Sequence, residues 1–544
     1  MKNIYLILII IVALFLRFSI LETLPALNAD EAALGYNAYS LLQTGQDEHG
    51  NSWPIHFQSF NDYKPGLYVY LIMPFIALLG LTELAVRLPN ALLGVGSVIS
   101  LYFLVKNLFP KVKYFPELSA LFLALSPWHI HFSRGGWEVN TAGFFIISGI
   151  LVLFLALKEQ GNKKLFISIL LLVASLYTYH AARLIVPILI LSIFLINKNE
   201  VTKNFKRFLP AILLGAILLL PLAWDMAKPT GLSRATGVGL FADSGPYWRI
   251  NEQRGEHRDL DGPLAVLLHN KPVNYSLAFL QNYTEHFWGE FLFLSGDDIQ
   301  RNKVPEMGQL YLVELIFLIV GFIAIIRNFS REWLFILLWL LIAPIAASLT
   351  FQSPHALRSH NIVFPLVIIS SFGLLQSIRW LQTLPRFKVL GKGVILVLIL
   401  FYLWDFTRYL HQYYVHMAKA YDYSSQYGVK ELAQYIKENY DQYPKFIITT
   451  QYDQPYILML FYLKYSPREF QSSHSLTSRD QYGFSTVSEF GKFVFQSVSP
   501  LDQVKGQYPG ALIVGSDGEV PEGSNVVKRV YFPSGRIVFE AVKN

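Results

Sequence analysis

The sequence predicts a mainly α-helical polytopic membrane protein that ends in a small α/β domain. Of its 544 residues, 53% are hydrophobic and only 15% are charged, and the mean hydropathy is +0.37. Soluble globular chains do not carry this balance, whereas chains with many apolar spans do. From about residue 411 the sequence becomes more polar, and short strand-like runs alternate with helical ones. We therefore predict a transmembrane domain over 1–410 and an α/β domain over 411–544.

The absence of cysteine and the distribution of charge exclude several classes of function. With no cysteine, the chain has no disulfide, zinc–thiolate site or thiol nucleophile. The net charge of +7 suggests nucleic-acid binding, but most Lys and Arg residues fall in short loops between apolar runs. Membrane orientation explains basic residues in such loops, so no nucleic-acid partner is expected.

About eleven apolar runs predict the transmembrane helices. The first is long and is not followed by an Ala-x-Ala cleavage site, so it is interpreted as a retained anchor rather than a signal peptide. The predicted spans are 4–20, 85–108, 115–130, 139–157, 165–177, 184–196, 208–224, 307–326, 333–349, 362–378 and 394–409.

The length of the apolar run 66–81 does not by itself identify a membrane-crossing helix. The positions of the basic loops decide between a crossing and a non-crossing helix. A crossing helix needs roughly 20 residues. If 66–81 does not cross and the N-terminus is cytoplasmic, the Lys- and Arg-rich loops all fall inside, as the positive-inside rule requires. We therefore predict a juxtamembrane helix at 66–81, outer loops at 21–84 and 225–306, and an extracytoplasmic 411–544 domain.

The C-terminal domain is predicted to combine two helices with five strands. The helices are expected at 429–439 and 454–464, and the strands at 445–450, 493–498, 511–514, 526–532 and 536–541. No internal repeat is visible, so the inverted-repeat architecture of many transporters gains no support.

An acidic pair and a lysine lie in the predicted first outer loop. Asp30-Glu31 follows the first span, and Lys64 lies about thirty residues later, in Tyr63-Lys64-Pro65-Gly66. A carboxylate beside a membrane surface can take a proton from an acceptor hydroxyl, and a lysine can hold a phosphate leaving group. This combination predicts transfer chemistry at the membrane surface.

Further polar residues are predicted on the same outer side. The positive-inside rule does not account for isolated cations in short outer loops. A cluster of Arg, Lys and His at the membrane surface suits a phosphate or diphosphate head group. The residues in these outer turns are Arg134, Glu138, His180, Arg183, His355, Arg358 and His360.

Each of these residues also has a simpler structural interpretation. Asp30-Glu31 can cap a helix that starts at Ala32, and Lys64 can extend along the membrane interface. Arg17, near the outer end of the first span, can do the same. Arg134 and Glu138 are four residues apart, as in a helical ion pair.

Two apparent metal motifs are not interpreted as metal sites. Asp47-Glu48-His49 lies between Gly45 and Gly50, so we expect a solvent-exposed turn. His129 and His131 would point to different faces of a helix.

Three ordered motifs in the first hundred residues resemble the GT-C membrane glycosyltransferases. They are Asp30-Glu31-Ala-Ala-Leu-Gly-Tyr36, Tyr63-Lys64-Pro65-Gly66 and Val86-Arg87-Leu88-Pro89-Asn90. The nearest likeness is to the protein O-mannosyltransferases and the lipid A aminoarabinose transferases, which are of the glycosyltransferase family 39 type. Ser126-Pro127, followed by Arg134 and Glu138, fits the next landmark of that family. The likeness is good over 4–157, moderate over the later spans and absent from the C-terminal domain.

The chain departs from the family pattern at four points. Glu138 stands in the Arg134 turn where an Asp is common. The family's Pro-Pro step is Pro-Gly here, and Tyr63 stands where the aminoarabinose transferases have an acidic residue, with Asp62 one position earlier. The Trp-Trp-Asp motif of the oligosaccharyltransferases is missing, which argues against transfer of a complete oligosaccharide.

The resemblance implies a GT-C-like catalytic domain over 1–410 that uses a polyprenyl-phosphate sugar donor. The acceptor would be a protein, glycolipid or wall polymer, and the anomeric centre would invert. Asp30 would be the general base. No cofactor is required, although a divalent cation is compatible with this chemistry, and no metal ligand is assigned. The implied catalytic residues are Asp30 and Glu31; the donor-phosphate ligands are Lys64, Arg358, His355 and Arg134; the substrate-binding residues are Glu138, Tyr63, Asp62 and His180.

Two other functions remain as alternatives. A transporter or flippase of lipid-linked glycans predicts charged residues near mid-membrane and paired halves, and the spans are nearly free of central charges. An accessory scaffold whose C-terminal domain binds a partner leaves the outer charged cluster without a role.

Overall fold

The computed structural model describes residues 2–60, 62–159, 161–228, 237–383, 388–422, 424, 426–478 and 485–544. It divides into two compact units. The helical unit comprises 1–17, 92–133 and 138–410, and the α/β unit comprises 18–91, 134–137 and 411–544. The predicted domains were 1–410 and 411–544. The difference is that the whole of the predicted first outer loop, 21–84, groups with the C-terminal residues.

Helices make up most of the chain before residue 411. The helices are Lys2–Phe18, Ala29–Thr44, Leu67–Leu79, Glu83–Leu108, Phe115–Leu125, Pro127–Arg134, Glu138–Lys158, Lys163–Thr178, Ala182–Ile196, Lys198–Lys203, Phe205–Met226, Gly245–Gly255, Pro263–Leu268, Lys271–Glu285, Glu314–Arg327, Arg331–Ile342, Ile345–Ser348, Val363–Thr383, Lys388–His411 and Met417–Ala420.

Within the described residues, six helical stretches are long and apolar enough to cross a membrane. They are Glu83–Leu108, Glu138–Lys158, Phe205–Met226, Arg331–Ser348, His360–Gln382 and Gly391–Ala420. Every predicted span overlaps a helix, but several helices are shorter than expected, so length and composition support fewer spans than the eleven predicted.

Two predicted spans have different boundaries in the structure. The predicted span 115–130 is broken at Ser126, where one helix ends and the next begins at Pro127, because proline lacks the N–H that an uninterrupted helix needs. The predicted span 307–326 becomes helical only at Glu314.

The α/β unit contains a hairpin and a seven-stranded mixed sheet. The hairpin pairs His56–Ser59 with Asp62–Pro65 in antiparallel register. Phe446–Ile448 lies inside the large sheet, between the parallel neighbours Phe493–Phe495 and Leu512–Gly515. The other pairs are antiparallel, and the strand order is Ser475–Leu476, Val487–Phe490, Phe493–Phe495, Phe446–Ile448, Leu512–Gly515, Ile537–Lys543 and Val526–Tyr531.

The predicted elements of the C-terminal segment are confirmed, and others were missed. The predicted helices correspond to Val429–Glu438 and Pro455–Leu463, and all five predicted strands overlap observed strands. The elements that were missed are Pro467–Ser473, Ser475–Leu476, Val487–Phe490 and Leu501–Gln507. Part of the predicted loop 225–306, residues 229–236, lies outside the described residues.

The core of the α/β unit explains why the first outer loop belongs to it. Ala32, Ala33 and Tyr36 of the helix Ala29–Thr44, hereafter the acidic helix, are buried together with apolar residues of the C-terminal segment. A Cβ atom at Gly35 would lie 2.7 Å from the Phe461 ring. Helix and ring therefore approach closely at a point where no larger residue fits.

The predicted juxtamembrane helix is present as Leu67–Leu79. Tyr68, Val69, Ile72 and Ile76 are buried in the core of the α/β unit. Thirteen residues extend about 20 Å, less than the roughly 30 Å of a hydrocarbon core. Its length and its buried side support the prediction that it does not cross the membrane.

Candidate active site

The acidic helix begins with a capping box that involves Glu31. Asn28 is the N-cap, and its side-chain oxygen accepts a hydrogen bond from the Glu31 N–H at 3.0 Å. In return, Glu31 Oε2 accepts from the Asn28 N–H at 3.2 Å. Asp30 and Glu31 thus lie in the first turn, where the helix dipole favours negative charge.

Glu31 is held in a buried ion pair with Arg87. Arg87 Nε and Nη2 each donate to a different oxygen of the Glu31 carboxylate at 2.7 Å, and neither side chain is more than 1% exposed. The backbone N–H of Gly136 also donates to Glu31 Oε1 at 2.7 Å. A carboxylate with both oxygens engaged and no access to solvent does not suit the catalytic role predicted for Glu31.

Asp30 and Lys64 form an accessible ion pair beside this buried one. Lys64 Nζ bonds Asp30 Oδ1, and the side chains are 14% and 26% exposed, respectively. Lys64 lies on the strand Asp62–Pro65, paired with Phe57, and its ammonium also lies 5.1 Å from the Phe60 ring centroid. The structure therefore joins the two charges that the sequence analysis assigned to proton abstraction and phosphate binding.

The residues before Lys64 belong to the same strand. Tyr63 pairs with Gln58 in the hairpin and is partly exposed. Asp62 pairs with Ser59 through its backbone, and its side chain lies outside the described residues.

Arg134 is buried within the α/β unit. Its Nε donates to the Tyr413 hydroxyl at 3.0 Å, and its Nη2 donates to the Ser19 carbonyl at 2.7 Å. Its side chain has no exposed surface, which argues against the predicted contact with a donor phosphate. Arg134 ends one helix and Glu138 begins the next, so the alternative of an ion pair within a single helix is wrong.

The expectation of an exposed turn at Asp47-Glu48-His49 is wrong. Asp47 and Glu48 are fully buried. Asp47 Oδ1 accepts backbone hydrogen bonds from His49 and Asn51, whereas neither Glu48 side-chain oxygen has a hydrogen-bond partner among the described residues. His49 Nε2 lies 3.7 Å from Glu48 Oε1.

Residues distant in sequence bury this turn. Gln471 Nε2 donates to the Asp47 carbonyl at 2.8 Å, and His474 Nε2 lies 3.4 Å from His49 Nδ1. Burial, reinforced by the charge of Asp47, raises the pKa of Glu48 to about 8. Burial also lowers the pKa of His49 to about 4.

In the helical unit, His355 is held by local contacts. Its Nδ1 lies 3.6 Å from Asp297 Oδ2, and its backbone N–H donates to His286 Nε2 at 3.2 Å. Asp297 Oδ2 also accepts from the Ala356 N–H at 2.6 Å. His355 is only 5% exposed, so its surroundings fix the turn that precedes Arg358.

Arg358 and His180 line one cavity of about 470 Å³ in the helical unit. Arg358 Nη1 donates to Thr350 Oγ1 at 2.7 Å, and Arg183 Nη1 lies 3.1 Å from His180 Nδ1. Cationic side chains thus adjoin a largely apolar wall. The apolar lining includes Leu184, Met226, Leu240, Phe241, Ala346 and Leu349.

The remaining polar residues of the helical unit have different surroundings. Glu138 is the first residue of its helix. Arg17 is buried and donates to the Leu123 carbonyl at 3.2 Å and to His129 Nδ1 at 2.7 Å, so the predicted interfacial position is wrong. His131 Nε2 instead lies 3.0 Å from the Arg301 carbonyl, consistent with different directions for the two histidines.

Among the residues that the structure describes, no group of three or more His, Asp or Glu side chains is arranged to hold a metal ion. That no cation is required stays a prediction.

The sequence analysis missed two residues that position the acidic helix. Arg87 was noted only as part of a motif, and its spacing of 56 residues from Glu31 gives no local signal. Gln426 Oε1 accepts from the Ala29 N–H at 2.7 Å, and Gln426 Nε2 donates to the Asp453 carbonyl at 2.5 Å. Nothing in the polar sequence around Gln426 indicates this role.

Comparison with known proteins gives one family match and several similar structures. Residues 63–224 match the family model described as dolichyl-phosphate-mannose-protein mannosyltransferase. No curated protein sequence matches the chain. ArnT from Cupriavidus metallidurans, solved bound to undecaprenyl phosphate, has a TM-score of 0.54 at 12% identity, covering 99% of this chain and 98% of ArnT.

Two structures of an Archaeoglobus fulgidus enzyme are also similar. The oligosaccharyltransferase in complex with Zn and sulfate has a TM-score of 0.53 at 13% identity, covering 98% of this chain and 72% of that one. The oligosaccharyltransferase AglB, in complex with an inhibitory peptide and a dolichol-phosphate, has a TM-score of 0.51 at 13% identity. Its match covers 84% of this chain and 63% of AglB, so the chain spans somewhat less than two thirds of that relative. Together with the family match, these similarities confirm the resemblance to the GT-C type.

Proposed function

We propose that this chain, which has the GT-C fold, is a membrane glycosyltransferase that moves a sugar from a polyprenyl-phosphate donor to an acceptor hydroxyl. The accessible Asp30–Lys64 pair carries the proposal. It places a proton acceptor beside a phosphate-binding cation, and both groups keep some exposure.

The reaction is an inverting displacement at the anomeric carbon. The acceptor oxygen forms the new bond to that carbon while its proton passes to an Asp30 oxygen. The bond from the anomeric carbon to the phosphate oxygen breaks, and its electron pair leaves with the lipid phosphate. Base assistance of this kind contributes roughly 10²–10⁴-fold to the rate.

Lys64 changes partner during this reaction. Without substrate its ammonium pairs with Asp30. The donor phosphodiester carries one negative charge, and a second develops on it as its bond to the anomeric carbon breaks, so the ammonium turns to the phosphate and stabilises it as it leaves. Asp30 then loses its cation and becomes the better proton acceptor. Glu31 and Arg134 keep their buried contacts and position the surrounding backbone.

The cavity in the helical unit suits the lipid phosphate. Arg358, Arg183 and His180 provide positive or hydrogen-bonding groups next to an apolar wall. A polyprenyl phosphate combines a charged head with an apolar chain, and this lining offers a contact for each. The undecaprenyl phosphate in the similar ArnT structure supports this class of ligand.

The distribution of Lys and Arg supports placing the acidic helix on the outer side of the membrane. Basic residues cluster in the turns that join the apolar helices near 106–113, 158–164, 198–207 and 327–331. The positive-inside rule assigns these turns to the cytoplasm. With the non-crossing helix Leu67–Leu79, the segment that carries Asp30 and Lys64 then lies outside.

The decisive experiment compares sugar transfer by wild type and Asp30→Asn. Purified protein is given a panel of synthetic short-chain polyprenyl-phosphate sugars, with a mixture of protein, glycolipid and wall-polymer acceptors. Donor binding and release of lipid phosphate are measured separately, with and without divalent cations. We expect one donor to be consumed, and Asp30→Asn to lose at least roughly 10²-fold in turnover while it still binds that donor.

Glu431→Gln is the matched control, because Glu431 forms an exposed ion pair with Lys528 in the same α/β unit. We expect this variant to transfer sugar as wild type does. Binding of lipid-linked sugar without cleavage, under every acceptor and cation condition, would contradict the enzyme and favour the transporter alternative.

A further inference from the structure

A short apolar helix, Pro263–Leu268, is exposed in the segment between two apolar helices of the helical unit. Its sequence is Pro-Leu-Ala-Val-Leu-Leu, and only Ala265 is buried. Leu264 is 62% exposed and Leu267 is 68% exposed, and Val266 and Leu268 are also exposed. Scattered exposed leucines are common, but four exposed apolar side chains on one six-residue helix need an explanation.

Polar contacts hold the C-terminal end of this helix in place. Arg254 Nε, from the preceding helix, donates to the His269 carbonyl at 2.7 Å, and His269 Nδ1 lies 3.0 Å from Gln253 Oε1. Asn270 caps the following helix and donates from Nδ2 to the Leu267 carbonyl at 2.9 Å. The exposed leucines are therefore presented by a folded support.

That support is attached to the end of a candidate membrane span. The Tyr283 hydroxyl donates to the Leu341 carbonyl at 2.8 Å, and Asn282 Nδ2 donates to the Thr350 carbonyl at 2.8 Å. Leu341 belongs to the candidate span Arg331–Ser348. The helix Lys271–Glu285, which follows the short apolar helix, is thus fixed where a span ends.

The composition around the short apolar helix is typical of a segment that lies in a membrane interface. Asp259 and Asp261 precede it and Lys271 follows it, so charged groups flank an apolar centre. Trp248 in the neighbouring helix is 65% exposed. Tryptophan and leucine with flanking charges favour the boundary between head groups and acyl chains.

We propose that the short apolar helix inserts into the interfacial layer of the bilayer that holds the candidate spans. Leu264, Val266, Leu267 and Leu268 contact the lipid, while the polar side of the segment faces water. The segment 237–306 is then a membrane-supported structure rather than a free loop. This inference concerns contact with lipid and does not depend on the proposed enzymatic reaction.

The absence of native cysteine allows a direct test. Single-cysteine variants Leu264→Cys and Leu267→Cys are spin-labelled in full-length protein in phospholipid nanodiscs. Collision with oxygen, which partitions into lipid, is compared with collision with a water-soluble nickel complex. Leu213→Cys, exposed on the candidate span Phe205–Met226, supplies the lipid reference, and Glu522→Cys supplies the aqueous one.

We expect labels at 264 and 267 to show oxygen-to-nickel ratios that lie between those of the labels at 213 and 522 and clearly above the aqueous reference, as an interfacial depth requires. The matched control Glu256→Cys, exposed in the same segment, should resemble the aqueous reference. Val266→Cys replaces either variant that fails to fold. Aqueous ratios at 264 and 267 would overturn the proposal. Protection from both reagents would also overturn it, because it would indicate contact with an acceptor or a second copy.

Discussion

Two adjacent carboxylates at the start of the acidic helix have opposite surroundings. Glu31 shares a buried, bidentate ion pair with Arg87, whereas Asp30 shares an accessible ion pair with Lys64. In the sequence the two carboxylates form one acidic motif. In the fold, Glu31 belongs to a buried structural pair, whereas Asp30 belongs to a pair that solvent can reach. The difference shows that burial, not the letters of the motif, decides which of the two carboxylates stays accessible.

The strongest test of this comparison removes the cation from each pair. Arg87→Met leaves Glu31 charged, buried and unpaired, and we expect a loss of about 3–5 kcal/mol in the free energy of unfolding. Lys64→Met should lose less, about 1 kcal/mol, because the Asp30–Lys64 pair is partly exposed to solvent and its loss does not leave a fully buried charge. Chemical denaturation of the purified proteins in micelles measures both effects.

A double variant sharpens that result. Glu31→Gln combined with Arg87→Met removes the uncompensated charge, so part of the lost stability should return. Equal losses for Arg87→Met and Lys64→Met would contradict the distinction between the two pairs.

Glu48 extends the comparison to a carboxylate that is buried without an ion-pairing cation at hydrogen-bond distance. Its pKa is raised to about 8, mainly by burial, so the folded state keeps a proton that the unfolded state releases above about pH 4.5. The unfolded state then binds fewer protons, and wild-type stability falls as pH rises from about 4.5 to about 8. Glu48→Gln removes this dependence.

We expect Glu48→Gln to match wild type near pH 4.5 and to be more stable by on the order of 1–3 kcal/mol at pH 8 and above. His49, whose pKa is lowered to about 4, acts in the opposite direction between about pH 4 and 6.5, but it is present in both proteins. Thermal unfolding across pH measures the difference, with the exposed Glu438→Gln as control. A difference that does not change with pH would refute the buried, protonated Glu48.

Local patterns predicted helices and most elements of the C-terminal segment, because those depend on nearby residues. They also selected Asp30 and Lys64, whose roles in transfer stay predictions. Apolar runs located helices, and Ser126-Pro127 already carried the signal for the break that was missed. The burial of Glu48 had no such signal, since Gly45 and Gly50 indicate a surface turn. Gln471 and His474, more than four hundred residues later, contact that turn.

The smallest expected effect concerns Gln426 of the C-terminal segment, which contacts the first turn of the acidic helix, where Asp30 lies. Gln426 Oε1 accepts from the Ala29 N–H, one residue before Asp30, and its amide nitrogen donates to Asp453. The N–H groups in the first turn of a helix have no partner within the helix, and Gln426 supplies one for the Ala29 N–H. Gln426→Ala removes that partner and should lower the free energy of unfolding by about 1 kcal/mol. Because the contact orients Asp30 without touching substrate, turnover should fall while the KM for donor stays near that of wild type. A loss of stability without a loss of turnover would contradict this positioning role.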